Sequence, residues 1–222
     1  MAQDRWKAVD EYVGGLLAPH DEALDAALRA GAEAGLPQIQ VSPPQAKLLY
    51  LLAQLVGAKR ILEFGALAGY STIWLARALA EGGRLITLEA NPDFATVAQA
   101  NIARAGLAEA VDLRVGPALD ALPALAAEGA GPFDLTFIDA DKVHSPEYFA
   151  WSLEHTRPGG LLVVDNVVRD GTLAEADSGD ETTEAQRRLH ETIAADPRLV
   201  ATTIQTVGAK GYDGFTIARL QA

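Results

Sequence analysis

The stretch at residues 60–71, RILEFGALAGYS, constrains the fold more than any other part of the sequence. An apolar run ends at Phe64, glycines follow at Gly65 and Gly69, and a second apolar run at helical spacing covers residues 73–79. This order predicts a strand, a tight turn and a helix. The glycines let the turn approach a ligand closely, and the first turn of the helix offers unpaired N–H groups. We therefore expect a small molecule to bind across this turn.

The glycine spacing also indicates which ligands the turn disfavours. A dinucleotide-binding turn has the pattern G-x-G-x-x-G and a phosphate-binding loop ends in G-K-[ST], but this turn has only Gly65 and Gly69 and no lysine. Glu63, at the end of the strand, would repel phosphate and could accept hydrogen bonds from a cationic or hydroxylated ligand. An NAD-dependent oxidoreductase stays open on fold alone, although the missing third glycine weighs against it.

Length and composition favour a single domain with one core, because the chain has 222 residues of which 49% are hydrophobic. The net charge of -12 and the pI near 4.7 argue against binding to nucleic acid or to anionic membranes, which needs basic patches. The sequence shows no apolar run of membrane-spanning length and no signal-peptide pattern at its start. Because cysteine is absent, we expect no disulfides and a cytoplasmic enzyme.

The rest of the chain alternates between predicted helices and strands. Helices are predicted at residues 5–17, 21–34 and 43–56, the last one capped by Ser42. After the turn unit come predicted strands at 84–89, 111–116, 133–139 and 159–166 with helices between them, a loop at 169–183, a helix at 184–195, and strands at 199–206 and 215–220. The short link between the last two strands requires an antiparallel hairpin. The prediction is one α/β domain with a doubly wound, mostly parallel sheet of about seven strands, a C-terminal antiparallel hairpin and extra N-terminal helices.

Polar residues follow three of the predicted strands, at the edge where open parallel sheets bind ligands. Glu89 ends the second strand, where doubly wound folds place an acid that binds ribose hydroxyls. Asp139 follows the fourth strand, and Asp165 and Asn166 follow the fifth. If those two strands are neighbours, the three side chains could hold a hard divalent cation such as Mg²⁺ or Ca²⁺. The alternative is that Asp139 and Asp165 only cap helices or bind the loop backbone.

Six motifs in the same order resemble the cation-dependent O-methyltransferases of the caffeoyl-CoA and catechol type. The resemblance covers the chain from about Leu36 to the C-terminus. It is carried by QVSPPQAKLL, RILEFGALAGYST, the acid of ITLEANP, VGPALDALP, FIDADK and GGLLVVDNV. It implies a Rossmann-like seven-stranded sheet in a single class I methyltransferase domain, with N-terminal helices over residues 1–56 and a cofactor-binding core over 57–222. It also implies S-adenosylmethionine (SAM) as cofactor, a divalent cation and a homodimer.

The resemblance assigns roles to individual positions. The residues that would contact the cofactor are Val41, Glu63, Gly65, Ala66, Ser71, Glu89 at the ribose, Ala118 near the adenine, and Asp141. Asp139, Asp165 and Asn166 match the metal ligands, and Lys142 matches the lysine proposed as general base. The cation would be Mg²⁺, with Ca²⁺ or Mn²⁺ as alternatives.

The chain departs from the family pattern where an acceptor would bind. His144 and Ser145 replace an asparagine and a tyrosine, and Arg169 and Asp170 follow the DN pair where the family often has an aromatic and a polar residue. The terminal hairpin carries an additional KGY, residues 210–212, before its DG. The acidic residues of the loop at 174–181 would repel the phosphates of a coenzyme A thioester.

The resulting hypothesis is methyl transfer from SAM to one oxygen of a small phenolic acceptor, a vicinal diphenol. Asp139, Lys142, His144 and Asp170 are the expected substrate contacts, and Lys142 is expected to accept the phenolic proton. Three alternatives remain at this point: a metal-independent methyltransferase, the oxidoreductase mentioned above, and a noncatalytic protein that binds an adenosyl ligand.

Overall fold

The computed structural model describes residues 2–175 and 178–221. The strands are β1 (Arg60–Phe64), β2 (Arg84–Glu89), β3 (Val111–Val115), β4 (Phe133–Ile138), β5 (Thr156–Asp165), β6 (Leu199–Gly208) and β7 (Gly211–Leu220). They form a seven-stranded sheet in the order β3-β2-β1-β4-β5-β7-β6. Strands β1 to β5 run parallel, and β7 lies antiparallel between β5 and β6. The predicted doubly wound sheet with a C-terminal antiparallel hairpin is confirmed.

Helices cover both faces of this sheet. They are α1 (Ala2–Leu17), α2 (Glu22–Glu33), α3 (Pro43–Leu55), α4 (Tyr70–Arg77), α5 (Pro92–Arg104), α6 (Ala118–Ala127), α7 (Ser145–Glu154) and α8 (Glu181–Ala195). Sequence signals explain several starts: Asp21, Ser42 and Asn91 each cap a helix through a side-chain oxygen, and proline occupies the first turn after Ser42 and Asn91.

The core forms on both faces of the sheet because successive strand residues point to opposite sides. On one face, Ile61 and Phe137 pack with residues of α2, α3 and α4. On the other face, Leu62 and Phe64 pack with residues of α6, α7 and α8. All six residues of β4 are buried, as expected for a central strand of a parallel sheet. This rigid centre fixes the positions of the strand ends where the polar residues lie.

Two boundaries differ from the prediction. The segment after β5, predicted as a loop over 169–183, begins with a 3-10 helix at Arg169–Ala174. Helix α8 starts at Glu181 because the Asp180 carboxylate accepts a hydrogen bond from the Thr183 backbone N–H at 2.7 Å. Within the acidic loop at 174–181, residues 176 and 177 lie outside the described part.

The hairpin is longer than predicted. Strands β6 and β7 pair from Leu199 with Leu220 up to Gly208 with Gly211, so Ala209 and Lys210 form its tip. The tip reaches helix α1, which also packs against α3. Among the described helices, none is both long and apolar enough to cross a membrane.

Candidate active site

The turn after β1 takes a backbone path that requires glycine. Gly65 has a φ of 93°, and a Cβ atom there would lie 2.2 Å from the Asp139 carbonyl oxygen. Gly69 has a φ of 83° and is the N-cap of α4. Any larger residue at Gly65 would push apart the ends of β1 and β4. The turn and the end of β4 are therefore held in direct contact.

Glu63 lies beneath this turn. Its Oε2 atom accepts hydrogen bonds from the hydroxyls of Thr72 at 2.5 Å and Thr87 at 2.7 Å, and its Oε1 atom has no partner among the described residues. Burial raises the pKa of the Glu63 carboxyl to about 7, against the opposing effect of these hydrogen bonds. The side chain is fully buried in the structure and joins the turn to β2, so its cofactor contact stays a prediction.

Glu89, at the end of β2, shapes the same turn. Its Oε2 atom accepts the backbone N–H groups of Ala66 at 3.1 Å and Leu67 at 2.8 Å, and its Oε1 atom accepts that of Asn91 at 2.9 Å. A carboxylate offers about four acceptor positions, so three are already in use. Ribose hydroxyls would share this carboxylate with the turn.

A cavity of about 610 Å³ lies above the turn, within the size range of small-molecule sites. We call it the turn cavity; it is lined by residues 39–41, 65–68, 70, 71, 88–90, 94, 117–120, 139–142, 144, 148 and 166. Of the residues expected to contact the cofactor, those that line it are Val41, Gly65, Ala66, Ser71, Glu89, Ala118 and Asp141. Glu63 is not among the lining residues.

Asp141 and two aromatic residues form one wall of the turn cavity. The Asp141 carboxylate accepts a hydrogen bond from the Tyr148 hydroxyl at 2.5 Å and pairs with the Nδ1 atom of His144. Burial alone would raise the pKa of Asp141, but these two hydrogen bonds lower it. His144 therefore lies beside Asp141 at the turn cavity, and its contact with the acceptor stays a prediction.

Tyr70 lines the turn cavity and was not singled out from the sequence. Its hydroxyl hydrogen-bonds the Nε2 atom of His20 at 2.7 Å, and the Nδ1 atom of His20 lies 3.0 Å from the Asp25 carboxylate. Burial raises the pKa of Tyr70 to about 12. Because these partners are about 50 residues away in the sequence, no local pattern indicates the network.

Asp139 and Asp165 lie on neighbouring strands, as predicted. They directly follow Ile138 and Val164, which are paired in the register of β4 and β5. Lys142 donates a hydrogen bond from Nζ to the Asp139 Oδ1 atom at 2.7 Å. Burial raises the pKa of Asp165 to about 7, Asp139 raises it further, and Lys142 acts in the opposite direction. The two acids therefore share one region of negative potential.

Asn166 is held in place by an acid that the sequence reading missed. Its side-chain amide donates a hydrogen bond to the Asp213 Oδ2 atom at 3.2 Å. The Asp213 Oδ1 atom accepts backbone N–H groups of Val168, Arg169 and Gly214 at 3.1, 2.9 and 2.8 Å. Asn166 has a φ of 54°, which this network supports. The DG pair of the hairpin was the only signal for Asp213.

A second cavity of about 530 Å³ adjoins the first and shares Ile39, Lys142 and Asn166 with it. We call it the hairpin cavity; it is lined by residues 10, 39, 42, 44, 45, 48, 142, 165, 166, 169, 206–208, 210, 211, 213 and 215. Asp170 is outside this set; it lines a third cavity with Asp180 and Thr183, which shares Arg169 and Asp213 with the hairpin cavity. The substrate contact expected for Asp170 stays a prediction.

Lys210, at the hairpin tip, belongs to the hairpin cavity. Its Nζ atom donates to the Gln40 carbonyl oxygen, and the neighbouring Ala209 N–H donates to the Asp10 carboxylate at 2.8 Å. The residue is exposed overall, but burial of the ammonium lowers the pKa of Lys210, while Asp139 and Asp165 oppose that shift. The sequence marked KGY only as a departure, because nothing local shows where a hairpin tip lies.

The sequence profile of the O-methyltransferase family matches residues 17–220. A catechol O-methyltransferase of Niastella koreensis is 54% identical over 213 residues, which cover 96% of this chain and 96% of the relative. A catechol O-methyltransferase of Mycobacterium tuberculosis is 50% identical over 211 residues, covering 95% of this chain and 94% of the relative.

Solved structures agree over nearly the whole chain. The O-methyltransferase of Bacillus cereus in complex with S-adenosylhomocysteine (SAH) superposes with a TM-score of 0.97 at 50% identity, covering 99% of this chain and 100% of that one. An O-methyltransferase of Streptomyces achromogenes involved in tomaymycin synthesis, solved with SAM, gives a TM-score of 0.97 at 50% identity and covers 100% of both chains.

Proposed function

The chain belongs to the O-methyltransferase family and is a SAM-dependent enzyme, and we propose that it methylates one hydroxyl of a vicinal diphenol with the help of a divalent cation. One observation carries this proposal. Asp139 lines the turn cavity, Asp165 lines the hairpin cavity, and Asn166 and Lys142 line both. A donor in the first cavity and an acceptor in the second would therefore meet beside two carboxylates. The names of the Niastella and Mycobacterium relatives support a catechol as the acceptor.

The donor set fits a hard cation. Two carboxylates on adjacent strand ends repel each other unless a positive charge lies between or beside them, and the raised pKa of Asp165 reflects that repulsion together with burial. The Asn166 side-chain nitrogen is engaged by Asp213, which leaves its oxygen as a further neutral ligand. In the described ranges, no group of three or more His, Cys, Asp or Glu is suited to hold a metal. The proposed site has two acids, Asp139 and Asp165, and the amide oxygen of Asn166, and its remaining coordination positions are open to water or substrate.

When bound, a divalent cation supplies positive charge that favours loss of a phenolic proton. SAM supplies the methyl group, whose carbon–sulfur bond breaks as the carbon–oxygen bond forms, leaving SAH. The chain provides the alignment, because the turn after β1 and the end of β4 are held together at Gly65. Alignment of two reactants of this kind is worth roughly 7–11 kcal/mol of the barrier.

Lys142 is proposed to accept the phenolic proton. In the structure its ammonium donates to Asp139 at 2.7 Å, and only 13% of its side chain is exposed. The ammonium must lose its own proton before it can act as a base, and a second positive charge nearby favours that loss. Lys142→Arg keeps a charge beside Asp139 but has no accessible neutral form. We expect both Lys142→Arg and Lys142→Met to lower kcat by about 100-fold or more, with SAH affinity changed less than about three-fold. A Lys142→Arg enzyme with full kcat would remove Lys142 as the base.

The function is tested with radiolabelled SAM and catechol on protein freed of metal by a chelator. We expect methylated product only after Mg²⁺ is added in excess over the chelator. Full activity in chelator would contradict the role of the cation while leaving methyl transfer intact. Absence of product with every vicinal diphenol, under conditions where SAM binds, would contradict the acceptor class.

A metal-independent methyltransferase is the second candidate, and one contact favours it. Lys142 already neutralises Asp139 without any added ion, so the lysine could hold the phenolic oxygen by itself. The same chelator assay separates the two candidates.

We also propose a homodimer formed through the N-terminal helices. Helices α1 and α3 contact each other, and both expose large apolar side chains at helical spacing. These are Val9, Tyr12 and Leu16 on α1 and Leu51 and Leu55 on α3. Light scattering should give twice the chain mass of 23.4 kDa, and Tyr12→Glu with Leu55→Glu should give the monomer. A monomer in the unmodified protein would contradict the proposal.

A further inference from the structure

The hairpin cavity contains cations that the methyl-transfer mechanism does not use. Lys142 pairs with Asp139, but Lys210 and Arg169 have no such role. We propose that the natural acceptor is a diphenol that carries a carboxylate, and that Lys210, assisted by Arg169, binds this carboxylate. The inference rests on the proposed function, since it specifies the acceptor of the same site.

Two contacts fix the position of Lys210. The Asp10 carboxylate on α1 accepts the Ala209 N–H at 2.8 Å, which holds the hairpin tip against the N-terminal helix. From that tip the Lys210 ammonium reaches the Gln40 carbonyl oxygen, in the segment that separates the two cavities. Because the partner of the Lys210 ammonium is a neutral carbonyl, an incoming anion would have no carboxylate to displace from it. The ammonium therefore lies at the cavity rather than on the open surface.

The carboxylates that line the hairpin cavity already have partners. Asp213 accepts three backbone N–H groups and the Asn166 amide, and Asp165 accepts the Asn166 backbone N–H at 2.9 Å. Asp10 accepts the hairpin N–H described above. Within residues 2–175 and 178–221, neither Lys210 nor Arg169 forms a salt bridge. The acids are thus engaged, whereas the two cations have no anionic partner in direct contact.

The divalent cation proposed for Asp139 and Asp165 would make the hairpin cavity more positive. Both acids act on the Lys210 ammonium electrostatically. A divalent ion held by the two carboxylates would cancel their charge. The charges left at the cavity would then be the cations Lys142, Lys210 and Arg169 against the acids Asp10 and Asp213, which is one net positive charge. An acceptor with an anionic substituent would neutralise this positive charge.

The walls of the hairpin cavity suit an aromatic ring. Apolar side chains of Ile39, Leu48 and Phe215 line it, among polar side chains that include Asp165 and Lys210. An aromatic acid can place its ring against the apolar residues, its hydroxyls toward Asp165 and its carboxylate toward the cations. An amine substituent would have to share Asp10 or Asp213, which already accept backbone N–H groups.

The test uses three vicinal diphenols that differ in one substituent: a dihydroxybenzoate, its methyl ester and a dihydroxybenzylamine. The ester withdraws electrons more strongly than the carboxylate and makes the hydroxyls more acidic, so Kd values measured without turnover are needed beside kcat/KM to identify the effect of charge. We expect the enzyme to prefer the acid over the ester by about ten-fold in kcat/KM, and the preference to shrink as salt is raised. Calorimetry with SAH-loaded protein and Mg²⁺ should give the same order of Kd without turnover.

Variants test whether Lys210 and Arg169 cause the preference for the acid over the ester. Lys210→Gln should reduce the ratio of acid to ester by about ten-fold, Lys210→Arg should restore it, and Lys210→Glu should turn the preference toward the amine. Arg169→Gln should reduce the ratio by a smaller factor. The matched control is Lys7→Gln, which removes one charge from a side chain that is 63% exposed on α1, and it should leave the ratio unchanged.

Two results would overturn the inference. Equal kcat/KM and Kd for acid and ester in the unmodified enzyme would remove carboxylate recognition while methylation of the ester still supports the proposed function. A preference for the acid that survives Lys210→Glu would show that other groups bind the carboxylate. If none of the three diphenols is methylated, the proposed function and this inference both fail.

Discussion

The turn cavity and the hairpin cavity share Lys142 and Asn166, yet the chain builds them in different ways. Most of the turn cavity is formed by the segments that follow β1, β2, β3 and β4, each one at the same edge of the sheet, and residues 39–41 and Asn166 complete it. The hairpin cavity combines Asp10 of α1, residues before and within α3, the end of β5 and the tip at Lys210. One cavity therefore follows from the repeating strand–turn–helix units, and the other depends on contacts between distant parts of the chain.

This difference suggests a division of function. The turn cavity has small residues such as Gly65 and Ala66 at the turn after β1, where the backbone can approach the cofactor closely. The hairpin cavity carries charged side chains on the parts of the chain that depart from the family pattern, including Arg169 and Lys210. Substitutions in one cavity should then leave ligand binding in the other nearly unchanged. The tests below are ordered by expected effect.

Asp165→Asn should have the largest effect. Replacing a buried carboxylate at the proposed cation site should lower kcat by about 1,000-fold, roughly 4 kcal/mol in barrier height, and weaken Mg²⁺ binding. SAH affinity should change by less than about three-fold, because Asp165 does not line the turn cavity. Steady-state kinetics and calorimetry measure both quantities, with Asp93→Asn on the exposed start of α5 as the control. A parallel loss of SAH binding would show that the cavities are not independent.

Glu63→Gln tests the structure beneath the turn cavity through the pH dependence of the protein's stability. Burial raises the pKa of Glu63 to about 7 in the folded state, whereas in the unfolded chain this carboxyl has its ordinary pKa of about 4.5. Its contribution to stability is present below pH 4.5 and is lost as the pH rises to about 7. The loss amounts to roughly 3 kcal/mol at most. Urea unfolding between pH 4.5 and 8 should therefore show a flatter pH dependence for Glu63→Gln, and equal slopes in both proteins would contradict the buried neutral carboxyl.

Glu89→Gln should affect cofactor binding alone. The amide retains one oxygen but loses charge, so the hydrogen bonds from the Ala66 and Leu67 N–H groups and those expected from ribose should weaken. We expect SAH affinity to fall by about ten-fold and the KM for catechol to change by less than two-fold. A large increase in the catechol KM with unchanged SAH binding would reverse the assignment of the two cavities.

Asp10→Ala should have the smallest effect, and it should change binding of the acceptor rather than binding of the cofactor. Loss of the acceptor for the Ala209 N–H frees the hairpin tip, so the KM for the acceptor should rise about three-fold while SAH affinity is retained. Asp10→Asn keeps an acceptor oxygen and should behave like the unmodified enzyme. If both variants are unaffected, α1 does not position the hairpin.

The sequence was sufficient for the parts that depend on local patterns. Gly65 and Gly69 mark the turn, continuous apolar runs mark the buried strands, and Asp139 and Asp165 meet because β4 and β5 are neighbours in a doubly wound sheet. Glu89 was located correctly, but its three backbone hydrogen bonds depend on how the turn folds over it. Local periodicity describes single elements and sheet order, and it carries less information about loop conformation.

The sequence was insufficient where distant segments meet. Asp213 supports Asn166 only because β7 inserts between β5 and β6, and hairpin order is not encoded in the apolar pattern. The 3-10 helix after β5 contains Arg169 and Asp170 at positive φ, and no periodic pattern in this segment indicates that conformation. The sequence therefore did not show that Asp170 lines a third cavity beside the hairpin cavity.

The central claim is that the two cavities meet at a cation site formed by Asp139, Asp165 and Asn166. Crystals grown with SAH and Mn²⁺ and measured at the manganese absorption edge test it most directly. We predict an anomalous peak within coordination distance of an oxygen from each of the three side chains, with Lys142 displaced from Asp139. Crystals with SAH bound, no peak at this position and Lys142 still bonded to Asp139 would contradict the claim.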